Sequence, residues 1–147
     1  MVSQELAVVN LTADDYEAIR AVWEASGLPV RAGGRDSREQ FERQMAGDLQ
    51  RAIGVKQGDE LVGVVLTTHD GRKGWINRLA VRPEFRRQGI ARRLIAEAEQ
   101  ALRAQGMQII AALIEDDNHA SLALFEQAGY SDYRSLHYLT KRDSGSI

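Results

Sequence analysis

Residues 75–94, W-I-N-R-L-A-V-R-P-E-F-R-R-Q-G-I-A-R-R-L, constrain the fold most because their hydrophobic period changes within one short stretch. Ile76, Leu79 and Val81 form an apolar run that is typical of a buried strand. Pro83 ends this run because proline supplies no N–H to a sheet. Beyond Gly89 the period changes, and apolar residues recur three and four positions apart, at Ala91, Leu94, Ile95, Ala98 and Leu102. The stretch therefore predicts a strand, a short turn and the start of an amphipathic helix.

The predicted turn combines small residues with positive charge. Gly89 and Ala91 would let a ligand approach the backbone closely. The helix start directs its unpaired N–H groups and the positive end of its dipole outward. Arginines crowd the region, at positions 78, 82, 86, 87, 92 and 93. This combination suits a phosphate or pyrophosphate, and an ordinary strand–helix connection with a solvated basic face is the alternative.

The overall charge argues against a dedicated nucleic-acid binder. The chain has 19 Lys and Arg against 21 Asp and Glu, which gives a net charge of −2. Nucleic-acid-binding domains are usually basic overall. A local arginine cluster on a mildly acidic protein indicates a confined anionic ligand instead, so we expect no nucleic-acid partner.

The 147-residue sequence contains no cysteine, which excludes disulfides and thiolate metal sites and fits a reducing compartment. The three histidines, His69, His119 and His137, form no metal-ligand pattern, and we expect no metal. Residues 1–5 do not resemble a secretory signal, and no apolar stretch reaches membrane-spanning length. These features together predict a cytoplasmic protein without a membrane partner.

The other segments predict a mixed, mostly antiparallel sheet flanked by helices. Strands are predicted over 5–11, 51–56, 60–68, 108–114 and 133–141, and helices over 12–26, 37–49 and 119–128. The segment 108–114 is almost wholly apolar, which predicts burial on both faces. The two strands around the long helix should be parallel and joined by a right-handed crossover. We therefore predict one α/β (α+β) domain over residues 1–141 and a polar tail over residues 142–147.

Two motifs resemble those of the GCN5-related N-acetyltransferases, the GNAT family. Arg86-Arg87-Gln88-Gly89-Ile90-Ala91 resembles the R/Q-x-x-G-x-G/A signature and stands between a predicted strand and helix. Asn118-x-x-Ser121-x-x-Leu124-Phe125-x-x-x-Gly129-Tyr130 resembles the second recurring element, N-x-x-A-x-x-L/F-Y-x-x-x-G-F. The resemblance implies the GNAT fold. It also implies transfer of an acetyl group from acetyl-coenzyme A to a primary amine of a protein or small molecule, by direct attack in a ternary complex.

The resemblance further implies which residues hold acetyl-coenzyme A. Backbone groups of Leu79, Ala80 and Val81 would bond to the pantetheine arm. Asn118 would contact the pantetheine, although a helix N-cap is the commonest use of Asn at such a position. Phe125 would line the cofactor site. The turn would hold the pyrophosphate through Arg86, Arg87, Gln88, Gly89, Ile90, Ala91 and Arg92.

The catalytic positions depart from the family pattern. Phe125 replaces the Tyr that often protonates the departing thiolate, and phenylalanine cannot donate a proton. Tyr130 and Tyr138 are substitute donors by chemistry, as is Tyr133, and packing explains each equally well. Where relatives place a Glu base, this chain has Leu113 and Asn77. Asn77, which we expect to share strand parity with Leu79 and Val81, could orient a water that passes the amine proton to Glu115, Asp116 or solvent.

Two other functions stay open at this point. A non-catalytic acyl-coenzyme A sensor would suit the absent Tyr and Glu, and an anion-binding or nucleic-acid-binding protein could use the arginines. The acceptor amine is not identified by any motif. Its pocket would be built by residues 28–36, the second helix and the last hairpin, and a homodimer is possible because dimers are frequent in the family.

Overall fold

The computed structural model describes residues 5–145, which form one five-stranded mixed sheet covered by helices. The elements in chain order are β1 (Leu6–Leu11), α1 (Tyr16–Ser26), α2 (Arg38–Met45), β2 (Gln50–Gln57), β3 (Glu60–His69), β4 (Lys73–Val81), α3 (Ile90–Ala104), β5 (Ile109–Ala111) and α4 (His119–Gln127). The strand order is β1-β2-β3-β4-β5, antiparallel throughout except for the parallel β4–β5 pair. The predicted fold class and the parallel pair around α3 are confirmed.

The sheet separates two hydrophobic clusters, which we call the α1-side cluster and the α3-side cluster. The first joins α1 and α2 to one sheet face through buried residues that include Tyr16, Trp23 and Phe41. The second joins α3 to the other face through residues that include Ile76, Val81 and Leu94. Trp23 is 1% exposed and is one of the largest side chains of the core.

The helix starts follow the predicted capping signals. The Thr12 hydroxyl accepts from the N–H of Asp14, and the Asp15 carboxylate accepts from the N–H of Thr12 at 2.8 Å. The Ser37 hydroxyl accepts from the N–H of Gln40 and caps α2. The predicted extension of α2 to Leu49 is wrong, because the helix ends at Met45 and Leu49 is 62% exposed.

The C-terminal part differs most from the sequence prediction. β5 spans only Ile109–Ala111, and Ile109 and Leu113 are more than half exposed, so the predicted burial on both faces is wrong. The predicted strand over 133–141 is also wrong, because no regular element follows α4 up to residue 145. β5 is therefore an edge strand, and its outer backbone groups have no strand partner within residues 5–145.

The region 130–145 runs as exposed irregular chain that leaves large apolar side chains in solvent: Tyr133, Leu136, Tyr138 and Leu139. Of the predicted tail 142–147, residues 146 and 147 lie outside the described part of the chain. Within the described residues 5–145, no helix has both the length and the apolarity needed to cross a membrane.

Candidate active site

A β-bulge in β4 shapes the centre of the candidate site. Leu66 pairs with Asn77 and Val64 pairs with Ala80, so both Arg78 and Leu79 lie opposite the single residue between those partners. Arg78 takes φ 53°, a left-handed backbone that is unusual for a residue other than glycine. A bulge leaves the extra residue without ladder hydrogen bonds, so its backbone groups become available to a ligand.

The bulge reverses the side-chain parity that the sequence predicted for Asn77. Ile76 packs in the α3-side cluster, so by strand alternation Asn77 points to the α1 side. Beyond the bulge, Ala80 packs on the α1 side, and Leu79 and Val81 pack on the α3 side. The expected shared parity of Asn77 with Leu79 and Val81 is therefore wrong, because the inserted residue shifts the alternation by one.

Asn77 is held in place by its neighbour on β3. Its Nδ2 donates to Thr68 Oγ1 at 2.9 Å. This bond fixes the orientation of the amide and directs the Oδ1 acceptor away from Thr68. Such an acceptor can orient a water or an amine N–H on the α1 side of the sheet.

The turn after β4 brings backbone N–H groups together. Arg87 and Gly89 both have left-handed backbones, with φ 66° and 78°. The first intrahelical bond after the N-cap runs from Arg93 N to Gly89 O at 3.0 Å, so the amides of Ile90, Ala91 and Arg92 have no acceptor within α3. Alternating left- and right-handed residues make consecutive amides converge on an anion. The residues that the sequence predicted for this role lie together in one turn with unpaired backbone amides at the start of α3, a geometry that suits an anion: Arg86, Arg87, Gln88, Gly89, Ile90, Ala91 and Arg92.

Space is available beside this turn. A Cβ added at Gly89 would meet no atom within 4 Å outside its neighbours, and residues 86–89 are exposed. The left-handed Arg87 is a feature that the sequence analysis missed. Arginine carries no local signal for that conformation, in contrast to glycine.

The six arginines of the region do not all face the turn. Arg82 Nε donates to the Leu61 carbonyl at 2.9 Å, and Arg78 Nη2 donates to the Pro29 carbonyl at 2.8 Å. Both side chains therefore serve contacts away from the turn. Arg92 Nη2 donates to Gln127 Oε1 at 3.1 Å, which ties this guanidinium to the C-terminal end of α4.

Asn118 caps α4. Its Oδ1 accepts from the N–H of Ser121 at 3.1 Å, which confirms the N-cap function that is usual for Asn. The side-chain NH2 group takes no part in this cap and can donate to a ligand.

Phe125 and Tyr130 form a pair against α3. Phe125 is buried, and its ring meets that of Tyr130 edge-on at 5.0 Å. The hydroxyl of Tyr130 donates to Glu99 Oε2 at 2.7 Å. Burial raises the pKa of Tyr130 well above its usual range, and the bond to the Glu99 carboxylate adds to this effect.

The structure does not bring the three predicted catalytic side chains together. Tyr130 packs against the α3-side cluster, whereas Asn77 points to the opposite face of the sheet. Tyr138 is 70% exposed in the irregular C-terminal region. The bulge and the turn, by contrast, form a continuous path along the chain, joined by the end of β4, Arg82 and the short 3-10 turn Pro83–Phe85.

Comparison with known proteins places this geometry in context. Residues 9–130 match the model of the Acetyltransferase (GNAT) family. An acetyltransferase of Photorhabdus laumondii is 34% identical over 119 residues, which cover 81% of this chain and 82% of that protein.

Two solved structures share the fold. The PaiA N-acetyltransferase of Thermoplasma acidophilum in complex with coenzyme A has a TM-score of 0.73 at 18% identity and covers 84% of this chain and 88% of that one. The aminoglycoside N-acetyltransferase AAC(6')-Iy in complex with coenzyme A has a TM-score of 0.79 at 16% identity, with 96% and 97% covered.

Proposed function

The chain belongs to the acetyltransferase (GNAT) family and uses acetyl-coenzyme A as its acetyl donor, and from this premise we propose how its own residues bind the cofactor and which kind of acceptor they serve. The acceptor is a primary amine of a small molecule or a peptide. We place the reaction in the cytoplasm and keep a homodimer as the proposed assembly.

The observation that carries the cofactor site is the path from the bulge to the turn. Backbone groups of Leu79, Ala80 and Val81, next to the ladder break, bond the pantetheine arm. The converging amides of the turn hold the pyrophosphate, because unpaired N–H groups and the positive end of the α3 dipole favour negative charge. The exposed positive charges of Arg87 and Arg92 add to the attraction for the pyrophosphate. Asn118, the N-cap of α4, donates its side-chain NH2 group to the pantetheine. Phe125 lines the site from the α3-side cluster.

Transfer proceeds by direct attack of the neutral amine on the thioester carbonyl. A C–N bond forms, the carbonyl oxygen becomes an oxyanion, and the C–S bond then breaks to release the thiolate. A backbone N–H of β4 near Ala80 or Val81 stabilises the oxyanion. The chain has no cysteine to form a Cys acyl-enzyme.

Two protons must move during the reaction. Asn77 orients a water that takes the proton from the amine and passes it to solvent or to the exposed carboxylates of Glu115 and Asp116. Tyr130 is a poor source for the thiolate proton, because its raised pKa and its bond to Glu99 both hold the proton. Tyr138 and Tyr133 are the remaining side-chain candidates for that proton, and water is the alternative source. A thiol is a fair leaving group, so an acid helps but is dispensable.

Release of free thiol from acetyl-coenzyme A with a panel of primary amines tests this function. Coenzyme A binding is measured in parallel by calorimetry. The second candidate function is a sensor that binds acyl-coenzyme A without turnover, and Phe125 in place of the family Tyr is the observation that favours it. Tight binding with no thiol release for any amine would identify the sensor.

A further inference from the structure

Arg78 is the residue through which the bulge meets the segment between α1 and α2. Its Cζ lies 4.5 Å from the centroid of the Trp23 ring. Its Nη2 donates to the Pro29 carbonyl and lies 3.7 Å from Asp36 Oδ2. The guanidinium therefore lies on the α1 side of the sheet, the same side as Asn77.

The guanidinium of Arg78 is incompletely satisfied. Its Nε is buried and finds no acceptor anywhere in residues 5–145. Buried donors in proteins are nearly always paired, with protein groups, water or a ligand. Arginine also presents its donors in a planar fork that matches a carboxylate or a phosphate.

Positive charge exceeds negative charge around this site. Burial lowers the pKa of Arg78, Asp36 opposes that shift, and the nearby positive charge of Arg35 adds to it. Asp36 lies 3.7 Å from Arg78 and directly follows Arg35 in the chain, so two arginines stand near one carboxylate. That carboxylate also accepts the N–H of Arg31 at 2.8 Å, so part of its capacity is already used. An added anion would balance the cluster.

The position of the cluster connects it to the acceptor. Arg78 directly precedes the Leu79–Val81 backbone, to which we assign the thioester arm of the cofactor. We assign the approach of the amine to the α1 side of the sheet, where Arg78 and Asn77 both lie and where Pro29 and Asp36 contact Arg78.

Resting on the function proposed above, we propose that Arg78 and Arg35 recognise an anionic group, a carboxylate or a phosphate, carried by the acceptor amine. The anion would bind the exposed part of the Arg78 guanidinium and neutralise the excess charge of the cluster. The amine would then point along the bulge toward the thioester. A polycationic amine would be repelled by the same cluster.

Matched pairs of amines test the proposal in the intact protein. The pairs are amide-capped Ala-Glu with Ala-Gln, amide-capped Ala-phosphoserine with Ala-Ser, and 5-aminopentanoate with 5-aminopentanamide. Spermidine represents polycations. Thiol release gives kcat/KM for each, and the ratio of anionic to neutral member reports anion recognition independently of the amine chemistry. The glutamate and phosphoserine pairs separate carboxylate from phosphate recognition.

The variants are Arg35→Gln and Arg78→Gln, with Arg72→Gln as the control for loss of one exposed positive charge. Arg35 is exposed, so its variant should fold normally even if Arg78→Gln does not. Thermal unfolding checks each variant. In at least one pair we expect kcat/KM to be about ten times higher for the anionic amine than for the neutral one. A factor of this size corresponds to roughly one charge-assisted hydrogen bond that the neutral amine cannot form. This ratio should fall toward one in Arg35→Gln and stay unchanged in Arg72→Gln.

Ratios near one in every pair, or spermidine as the fastest substrate, would overturn the proposal while leaving acetyl transfer itself intact. A ratio that survives in folded Arg35→Gln, or in folded Arg78→Gln, would also overturn it. If coenzyme A binds but no amine in the panel causes thiol release, the proposed enzymatic function fails, and this inference fails with it.

Discussion

The hydroxyl of Tyr130 donates a 2.7 Å hydrogen bond to the carboxylate of Glu99, which ties the chain after α4 to the middle of α3. The bond helps to hold α4 on α3, together with the buried ring of Phe125 and the hydrogen bond from Arg92 to Gln127. Because the tyrosine is also partly buried, its proton is held more tightly in the folded protein than in the unfolded chain.

This relationship predicts a pH dependence of stability. The pKa of tyrosine in an unfolded chain is about 10, and the pKa of Tyr130 is raised on folding. The stabilisation is therefore fully present below pH about 10 and is lost as the pH rises toward the folded-state pKa. Tyr130→Phe should lower the free energy of unfolding by about 1 kcal/mol at neutral pH. Above pH about 10, the wild-type curve should fall more steeply than that of the variant. Parallel curves from urea unfolding at several pH values would show that the proton on Tyr130 is not linked to folding.

The proposed pyrophosphate site in the turn before α3 predicts that Gly89→Glu abolishes coenzyme A binding. The new carboxylate would occupy the open space beside the turn and repel the pyrophosphate. The left-handed backbone at Gly89 adds a strain of about 1 kcal/mol, so the variant should remain folded but melt earlier.

Gly106→Glu is the matched control for that variant. Gly106 has a similar backbone, with φ 92°, and similar open space, but it lies at the other end of α3. It should lose comparable stability and keep its coenzyme A affinity. Calorimetry that gives equal affinities for folded Gly89→Glu and Gly106→Glu would contradict the proposed phosphate site.

The exposed arginines of the turn predict a selective loss of affinity. Arg87→Ala and Arg92→Ala should each weaken coenzyme A binding by about 1 kcal/mol, less at high salt, because exposed charge contacts are modest and screened. A phosphate-free pantetheine fragment should bind both variants as it binds the wild type. Arg72→Ala removes an exposed charge from the β3–β4 turn and should change neither affinity. Equal losses for coenzyme A and the fragment would mean that the arginines act through the structure of the turn.

Phe125 stands where many family members have Tyr, so the variant Phe125→Tyr tests whether a proton donor at this position helps turnover. Phe125→Tyr adds one hydroxyl next to the ring of Tyr130, and the fold should tolerate it. Turnover should stay equal or rise up to about a hundredfold, the low end of general-acid effects. Tyr138→Phe should lower turnover to a similar extent if Tyr138 supplies the proton, and should change nothing if water does. Steady-state thiol release with the best amine of the panel measures both. A large fall in turnover for folded Phe125→Tyr would show that the apolar ring itself is required.

The sequence by itself determined the features that depend on residues close together in the chain. The three- and four-residue spacing of apolar residues predicted α3, and Thr12, Ser37 and Asn118 marked helix starts that the structure confirms. The two motifs led to the family, and the strand–turn–helix that contains the first motif is present. Each of these signals is local because a cap, a turn or a helical face is set within a few residues.

The tertiary structure alone decided the features that depend on distant partners. The bulge at Arg78 arises from the register of β4 against β3, and it moved Asn77 to the other face of the sheet. The apolar segments 108–114 and 133–141 have strand composition, but strand formation also requires an edge with which to pair. The cluster of Arg78, Trp23 and Asp36 joins three separate segments, so no local pattern could predict it. Local periodicity specifies which face of an element is apolar, whereas pairing register and long-range charge specify what that face meets.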